Sequence, residues 1–277
     1  MQKETERAHP ADESRQGDII RIEYADGSSP GPGLGVLINA DCDLLHSKTD
    51  GVIAYLPIYT FREYLSEFWA HGYLHTVQEA STSKIIEVTK DDESGAASLH
   101  DWIRSTPVEE VISRLSGLDH VKRSHVAAID EHVRRLAITL NSSQTPIKRF
   151  SSLCRADKDP EGYARKQISV AKKNMGEGHF FISDLVDHDE VGFVIRMRRI
   201  YTIPEDRCFR SIASQRSHSG IDKTTGVRVA RLTSLYRFKV LQLFAQQYSR
   251  IGLPDDLTAL GDLAIDHLVS QFSQVIQ

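Results

Sequence analysis

Cysteine is scarce in this 277-residue chain: Cys42, Cys154 and Cys208 are an odd number, widely spread. That spacing excludes a disulfide-built scaffold, and no CxxC pair is present to seed a zinc site. Long apolar runs are missing too. None approaches the roughly 18 residues that a membrane-crossing helix needs. Positive charge is not in surplus: the formal net charge is -4, so no global basic field draws the chain to nucleic acid or to an anionic membrane. The opening residues, MQKETERAHPADESRQ, lack an apolar signal core and are expected to form a disordered tail over 1–16. A cytoplasmic protein with no membrane contact, no metal and no cofactor is expected.

What is present is a change of period along the chain. GDIIRIEY (Gly17 to Tyr24) alternates like a strand, and DGSSPGPG (Asp26 to Gly33) supplies turn chemistry. GVLIN and GVIAYLP are continuous apolar runs of strand length. From Phe61 the spacing becomes helical, with Tyr64, Leu65, Phe68 and Trp69 on one stripe. STSKIIEVTKDDESGAAS (81–98) is polar and glycine-bearing and reads as a loop with one short strand. Thr106 is placed to cap a helix through Val111 and Leu115, with Pro107 in its first turn and Glu109 as the acid of a capping box. Asp119 is placed to cap the next helix, through Ile129, Val133 and Leu136, and another follows Asp159-Pro160. Strands return with HFFISDLV, VGFVIRMRRIYTIP and GVRVARL. Ser234 then opens a helix carrying Leu235, Phe238, Leu241 and Phe244, and a last helix runs over about 257–275.

Strand-rich sequence thus lies at both ends of a helical middle, and neither strand set could close a core alone. The expected fold class is α+β: a small β-barrel built from 17–60 and 179–232, interrupted by a mostly helical insertion over 61–178. C-terminal helices, 233–277, pack on it.

The order GDIIRI, Gly/Pro loop, GVLIN, VIAYLPI resembles the PemK/MazF-type small barrel, an SH3-like fold. Three further blocks are similar to a poorly characterised bacterial family of PemK-like proteins. They are the Cys-Asp pair in NADCDL, the strands HFFISDL and GFVIRMRRIYTIP, and the helix block ARLTSLYRFKVLQLFAQQYSRIGLP. The toxin side of the resemblance implies endoribonuclease chemistry. Those toxins set an Arg-Pro pair just before the second strand, where this chain has Gly33 and Leu34. A Thr or Ser follows their third strand, where Thr60 stands here.

Two groups of residues are candidates for chemistry. Asp41, Cys42, Asp43 and His46 would make a thiolate or carboxylate site, with His46 as base or ligand. The alternative is structural: a strand-ending turn in which the aspartates accept backbone N–H groups and Cys42 points into the core. Arg196, Arg198, Arg210, Arg231 and Arg237 belong to a run of arginines interleaved with Phe209 and Tyr236, a pattern that suits a phosphate backbone. Their alternative role is ion pairing with acids of the insertion, shared with Arg228. His120, His125 and His132 are expected to be capping or partly buried, since i, i+7 places two of them about 10 Å apart along a helix.

The resemblance implies a binding or regulatory component of a toxin–antitoxin or phage-defence system. The helical insertion would serve as a surface for a protein partner, and RNA is a further ligand. The alternative is an endoribonuclease, or another phosphodiester-acting enzyme, that uses the arginines and the Asp-Cys-Asp motif.

Overall fold

The two strand-rich ends of the chain meet in one sheet. The computed structural model describes residues 3–25, 31–90, 95–218 and 223–248, with 263, 265–267 and 269 beyond them. The strands are β1 (Thr5–Glu6), β2 (Asp18–Glu23), β3 (Leu34–Leu37) and β4 (Val52–Thr60) from the first part. The second part gives β5 (His179–Asp184), β6 (Val191–Arg196), β7 (Tyr201–Pro204), β8 (Cys208–Phe209) and β9 (Thr225–Leu232). They hydrogen-bond in the order β1-β9-β2-β3-β4-β6-β5, with β7 also on β4 and β8 also on β9. The expected joining of the two parts is therefore met, although through β4–β6, β4–β7 and β2–β9. Neither β2 nor β3 pairs with Phe193–Arg199.

Alternation explains why this sheet is buried on both sides. Ile19, Val36, Leu56 and Ile58 point inward with Phe193 and Ile195 of β6 and Leu232 of β9. Ile20, Ile22, Leu37, Ile53 and Tyr55 point the other way, onto Ile203 and Tyr201 of β7. Each such side chain contributes about 1.5–3 kcal/mol on burial. At Gly35 the backbone lies against the Tyr55 ring, where a Cβ would come within 2.2 Å, so no larger residue fits.

The N-terminal stretch is not a disordered tail. Thr5 and Glu6 add to the free edge of β9. The Glu4 carboxylate accepts the Ser183 and Asp184 N–H groups, and Thr5 Oγ1 accepts from Val186 N at 2.9 Å. Side chains thus bridge the two outer strands and bring the barrel close to closure. The driving force is the pair of open edges, whose backbone groups otherwise lack partners.

Pro57 shapes the opposite wall. Ala54 accepts the Ile38 N–H and donates its own to Asn39 Oδ1, both on the β3 side of β4, so by two-residue alternation Pro57 faces β6 and β7. It has no N–H to give them. The ladder runs from Thr60↔Phe193 to Ile58↔Ile195, breaks, and resumes at Tyr55↔Tyr201. Two residues of β4 oppose five, 196–200; Met197 stays in the core, and the excess brings Arg198, Arg199 and Ile200 to the surface.

The insertion is helical: α2 (Phe61–Tyr64), a π-helical turn (Leu65–Trp69), α3 (Ala70–Thr89), α4 (Gly95–Ser105), α5 (Val108–Ser116), α6 (Val126–Leu140), α7 (Pro146–Ala156) and α8 (Pro160–Lys173). Thr60 and Glu63 form a reciprocal capping box at its entrance. The expected loop over 81–98 is mostly helix instead. Ile85 and Val88 share the buried face of α3 with the small Ser81 and Thr82, and α6 packs close enough to hide all four. The helix ends at Thr89, with Lys90 as its left-handed cap, and helix resumes at Gly95. Pro107, not Thr106, occupies the cap position of α5, and α6 begins at Val126 after a 3-10 turn (Arg123–His125) rather than at Asp119. Asp159 does cap α8, accepting from Gly162 N at 3.0 Å. A separate core forms from Ile85, Ile103, Val111, Ile129, Val133 and Leu136. The helix α9 (Ile212–Ser217) follows β8, and α10 (Ser234–Tyr248) closes the inner core with Val240. Leu235 and Phe238, expected on that buried stripe, are exposed. The last helix expected over 257–275 lies almost wholly outside the described residues.

Candidate nucleic-acid interface

The Asp41–His46 segment is not a closed site. After β3 it winds into α1 (Asp41–Leu45), a single helical turn with no buried residue. Cys42 is exposed, not turned into the core, and its nearest polar neighbour is Asp43 Oδ1 at 3.5 Å. Asp41 accepts from Gln16 N at 2.7 Å and pairs with Arg237 at 3.2 Å. His46 is exposed at the end of the turn. One strand-ending carboxylate does satisfy a backbone N–H, as the structural alternative requires, but the thiol is exposed and meets the Asp43 carboxylate rather than His46.

The histidines of the insertion are structural. His120 donates to the Thr89 carbonyl at the C-terminal end of α3, and His132 meets Ser81 Oγ at 3.3 Å. Their neighbours His71 and His75 stand four apart on α3, a metal-like spacing; His75 pairs with Glu79 at 3.3 Å. No group of three ligating side chains occurs among the described residues.

The arginines divide by partner. Asp18, fully buried between β2 and β9, binds Arg231 Nε and sits 3.2 Å from Arg228. Carbonyls of His9, Asp12 and Glu13 accept from Nη1 and Nη2 of Arg228 and from Nη2 of Arg231, while Arg231 Nη1 lies 3.7 Å from the Asp12 carboxylate and the buried Arg228 Nε has no partner. Arg210 pairs with Glu13 at 2.9 Å and Arg237 with Asp41. Ion pairing was the alternative for Arg228, Arg231 and Arg237, but their acids come from the N-terminal stretch, β2 and α1 rather than from the insertion. Arg210, Arg231 and Arg237 are accordingly occupied.

Arg196, Arg198 and Arg199 are different. Among the described residues none of the three makes an ion pair with a carboxylate. They sit where the bulge opposite Pro57 leaves the sheet. Arg198 and Arg199 are exposed and Arg196 is half-buried. Arg196 lies over the Phe68 ring, 4.0 Å from its centre, and Arg199 lies 5.2 Å from the Tyr201 ring. Arg198 donates from Nε to Gln247 of α10 at 3.2 Å.

Around Arg196 the barrel and the insertion build an aromatic wall. Tyr59, at the end of β4, packs edge-on to Phe68 at 5.0 Å, with Tyr201 and Arg196 close enough to act on its hydroxyl. Burial pushes its hydroxyl up, and Arg196 pulls partly the other way. Tyr64 meets Phe68 and, at 5.3 Å, His179. His179 faces Arg196 across the β5–β6 ladder; burial first, then the guanidinium, hold it below the ordinary histidine value, so it is neutral at pH 7. Its Nδ1 is buried without a protein partner. The π-helical turn carries Phe68 and follows directly on Tyr64, and such turns commonly sit at working sites. A guanidinium on an aromatic face is weakly hydrated and keeps donors free for phosphate, while the rings offer faces for bases.

The sequence pointed to Arg196 and Arg198 but not to Tyr59, Tyr64, Phe68, His179 or Tyr201. Their only signal was density of aromatics on both sides of the insertion, since their convergence depends on β4 pairing with β6 and β7. Comparison of the chain with protein-family models, curated proteins and solved structures returns no match.

Proposed function

We propose that this protein is a binding component that engages single-stranded nucleic acid, RNA first, along the Arg196–Arg198–Arg199 bulge and its aromatic wall. The observation that supports the reading is the division of the arginines: Arg196 and Arg199 stand on rings, Arg198 meets only the Gln247 amide, and none of the three pairs with a carboxylate among the described residues, while Arg210, Arg228, Arg231 and Arg237 are neutralised in place. The PemK-like resemblance adds the setting, a bacterial toxin–antitoxin or phage-defence system, with the helical insertion as the surface for a protein partner. Binding is favoured over phosphodiester cleavage because the groups that would do chemistry are dispersed. Asp41 is tied to Arg237, Cys42 and His46 are solvated on a separate turn, and Gly33 and Leu34 stand where the toxins carry the Arg-Pro pair. Fluorescence-anisotropy titration of a labelled single-stranded RNA at two salt concentrations tests it. Affinity should fall with salt, with a log–log slope of about 0.7 for each phosphate contacted. Absence of binding at low salt overturns the reading, and RNA shortening during the titration would restore the nuclease alternative.

A further inference from the structure

A second concave site lies at the barrel rim, between the end of β2, β8, α9 and the start of β9. It is a cleft of about 740 Å³, within the range of small-molecule sites. Among the described residues its charges do not cancel. Arg21, Arg207, Arg216 and Lys223 line it against two carboxylates, Glu23 and Asp206. Arg21 takes one oxygen of Glu23 at 2.8 Å, and the Gln215 amide takes the other at 2.7 Å. Asp206 stands 3.9 Å from Arg207, at the limit of an ion pair. Arg216 and Lys223, both exposed, have no carboxylate in ion-pair contact among the described residues.

The remaining wall is aromatic and held in place. Phe209 is buried behind the cleft, and the His218 ring tilts against it at 4.9 Å. The Tyr24 hydroxyl donates to the Pro32 carbonyl at 3.1 Å, which fixes that ring. Ile212 adds a partly exposed apolar side chain. A surplus of cationic donors beside a planar wall suits a ligand with an anionic group and a flat ring. Bare phosphate would leave the wall unused. A metal cation would meet the wrong sign of charge. A long polyanion needs an open track rather than a cleft.

We propose that this cleft binds a single nucleotide, its ring against Phe209 and His218 and its phosphate held by Arg216 and Lys223. None of Arg196, Arg198 or Arg199 lines it, so the site stands independently of the strand-binding reading. The same chemistry is offered by a free mononucleotide and by the end of an RNA chain, and calorimetry on the full chain separates them. The probes are the four nucleoside 5′-monophosphates, their nucleosides, inorganic phosphate, and a short RNA with a 5′-phosphate. At least one monophosphate should bind about tenfold tighter than both its nucleoside and phosphate. R216A/K223A should weaken it about tenfold, as expected when charge-assisted hydrogen bonds are removed. R198A/R199A should leave it unchanged. If only the RNA binds, or phosphate binds as well as any nucleotide, or R216A/K223A binds like wild type, the proposal fails. Both replaced residues are exposed, so circular dichroism should show an unchanged fold.

Discussion

In the barrel, one fully buried carboxylate, Asp18, is shared by two guanidiniums, and backbone carbonyls of the N-terminal stretch take several of their other donors. In the helical insertion most ion pairs lie on the surface: Arg114–Glu110, Arg134–Asp130 and Arg104–Asp101 link one helical turn to the next with both partners well exposed. Only Arg135–Asp157, among the described residues of the insertion, is half-buried on both sides. Both regions exclude water with aliphatic cores, yet they use charge differently. A solvated pair at i, i+3 or i, i+4 contributes well under 1 kcal/mol and is screened by salt. A buried one contributes little as a unit, but losing either partner strands an uncompensated charge. Charge in the barrel therefore fixes how the N-terminal stretch lies on β9, whereas charge in the insertion keeps helices solvated. The Arg196 bulge belongs to neither pattern, and that is why it is available to a ligand.

The largest expected effect follows from this contrast. Asp18→Asn leaves Arg228 buried with no counter-charge and Arg231 with only Asp12, 3.7 Å away, and should cost about 3–5 kcal/mol, read by urea denaturation. A change below about 1 kcal/mol would show that the backbone carbonyls and Asp12 suffice. Leu136→Ala tests the other half. Leu136 is fully buried in the insertion core, and truncation should cost about 2–5 kcal/mol. Hydrogen exchange should then show α5 and α6 opening while β2, β3 and β4 stay protected. Equal deprotection of both regions would mean that the two cores unfold as one.

A smaller effect separates the regions by pH. Burial holds His100 and His132 of the insertion below the ordinary histidine value of 6.5. Their folded values lie under the unfolded ones, so their contribution is complete above about pH 6.5. It is lost as pH falls from there toward the lowered folded values. His179 adds the same sign in the barrel. A His100→Gln/His132→Gln variant should therefore show a flatter decline in Tm between pH 7 and pH 5 than wild type. An unchanged slope would assign the acid sensitivity elsewhere.

The smallest effect concerns the thiols. Cys42 is exposed, and Cys42→Ser should leave stability unchanged, because no buried hydroxyl results. Burial, with Asp18 beside it, pushes the Cys208 thiol up to about 12, and burial raises Cys154 as well. A thiol-reactive dye should label Cys42 quickly in native protein and the other two only after denaturant. Rapid labelling of Cys208 would contradict the packing around β8.

The barrel strands are legible in the sequence because β2, β3 and β4 are continuous or alternating apolar runs bounded by Gly, Pro and Asn. The register is not: VGFVIRMRRIYTIP reads as one strand block, whereas Pro57 on the neighbouring strand splits it into β6 and β7. The N-terminal stretch is polar enough to suggest disorder, and only the open edges of β9 and β5 give its backbone a use. Helix α3 reads as a loop past Ser81 because serine and threonine on its buried face look loop-like, although small polar side chains are what close helix packing admits. Helix α7 has no counterpart among the elements expected from sequence. For the interface, Arg196 and Arg198 are visible as a local cluster. Which arginines are free cannot be read, because Asp18, Glu13 and Asp41 are distant in sequence from the residues they neutralise.

The division between occupied and free arginines is tested most directly by RNA titration of two variants beside wild type. R198A/R199A removes the two exposed arginines of the bulge; R210A removes one already paired with Glu13. RNA affinity should fall at least tenfold in R198A/R199A, with the salt slope shallower by about 0.7 for each phosphate no longer held, and should stay at the wild-type value in R210A. Equal weakening in both variants would mean that RNA responds to overall charge alone and would contradict the assigned interface.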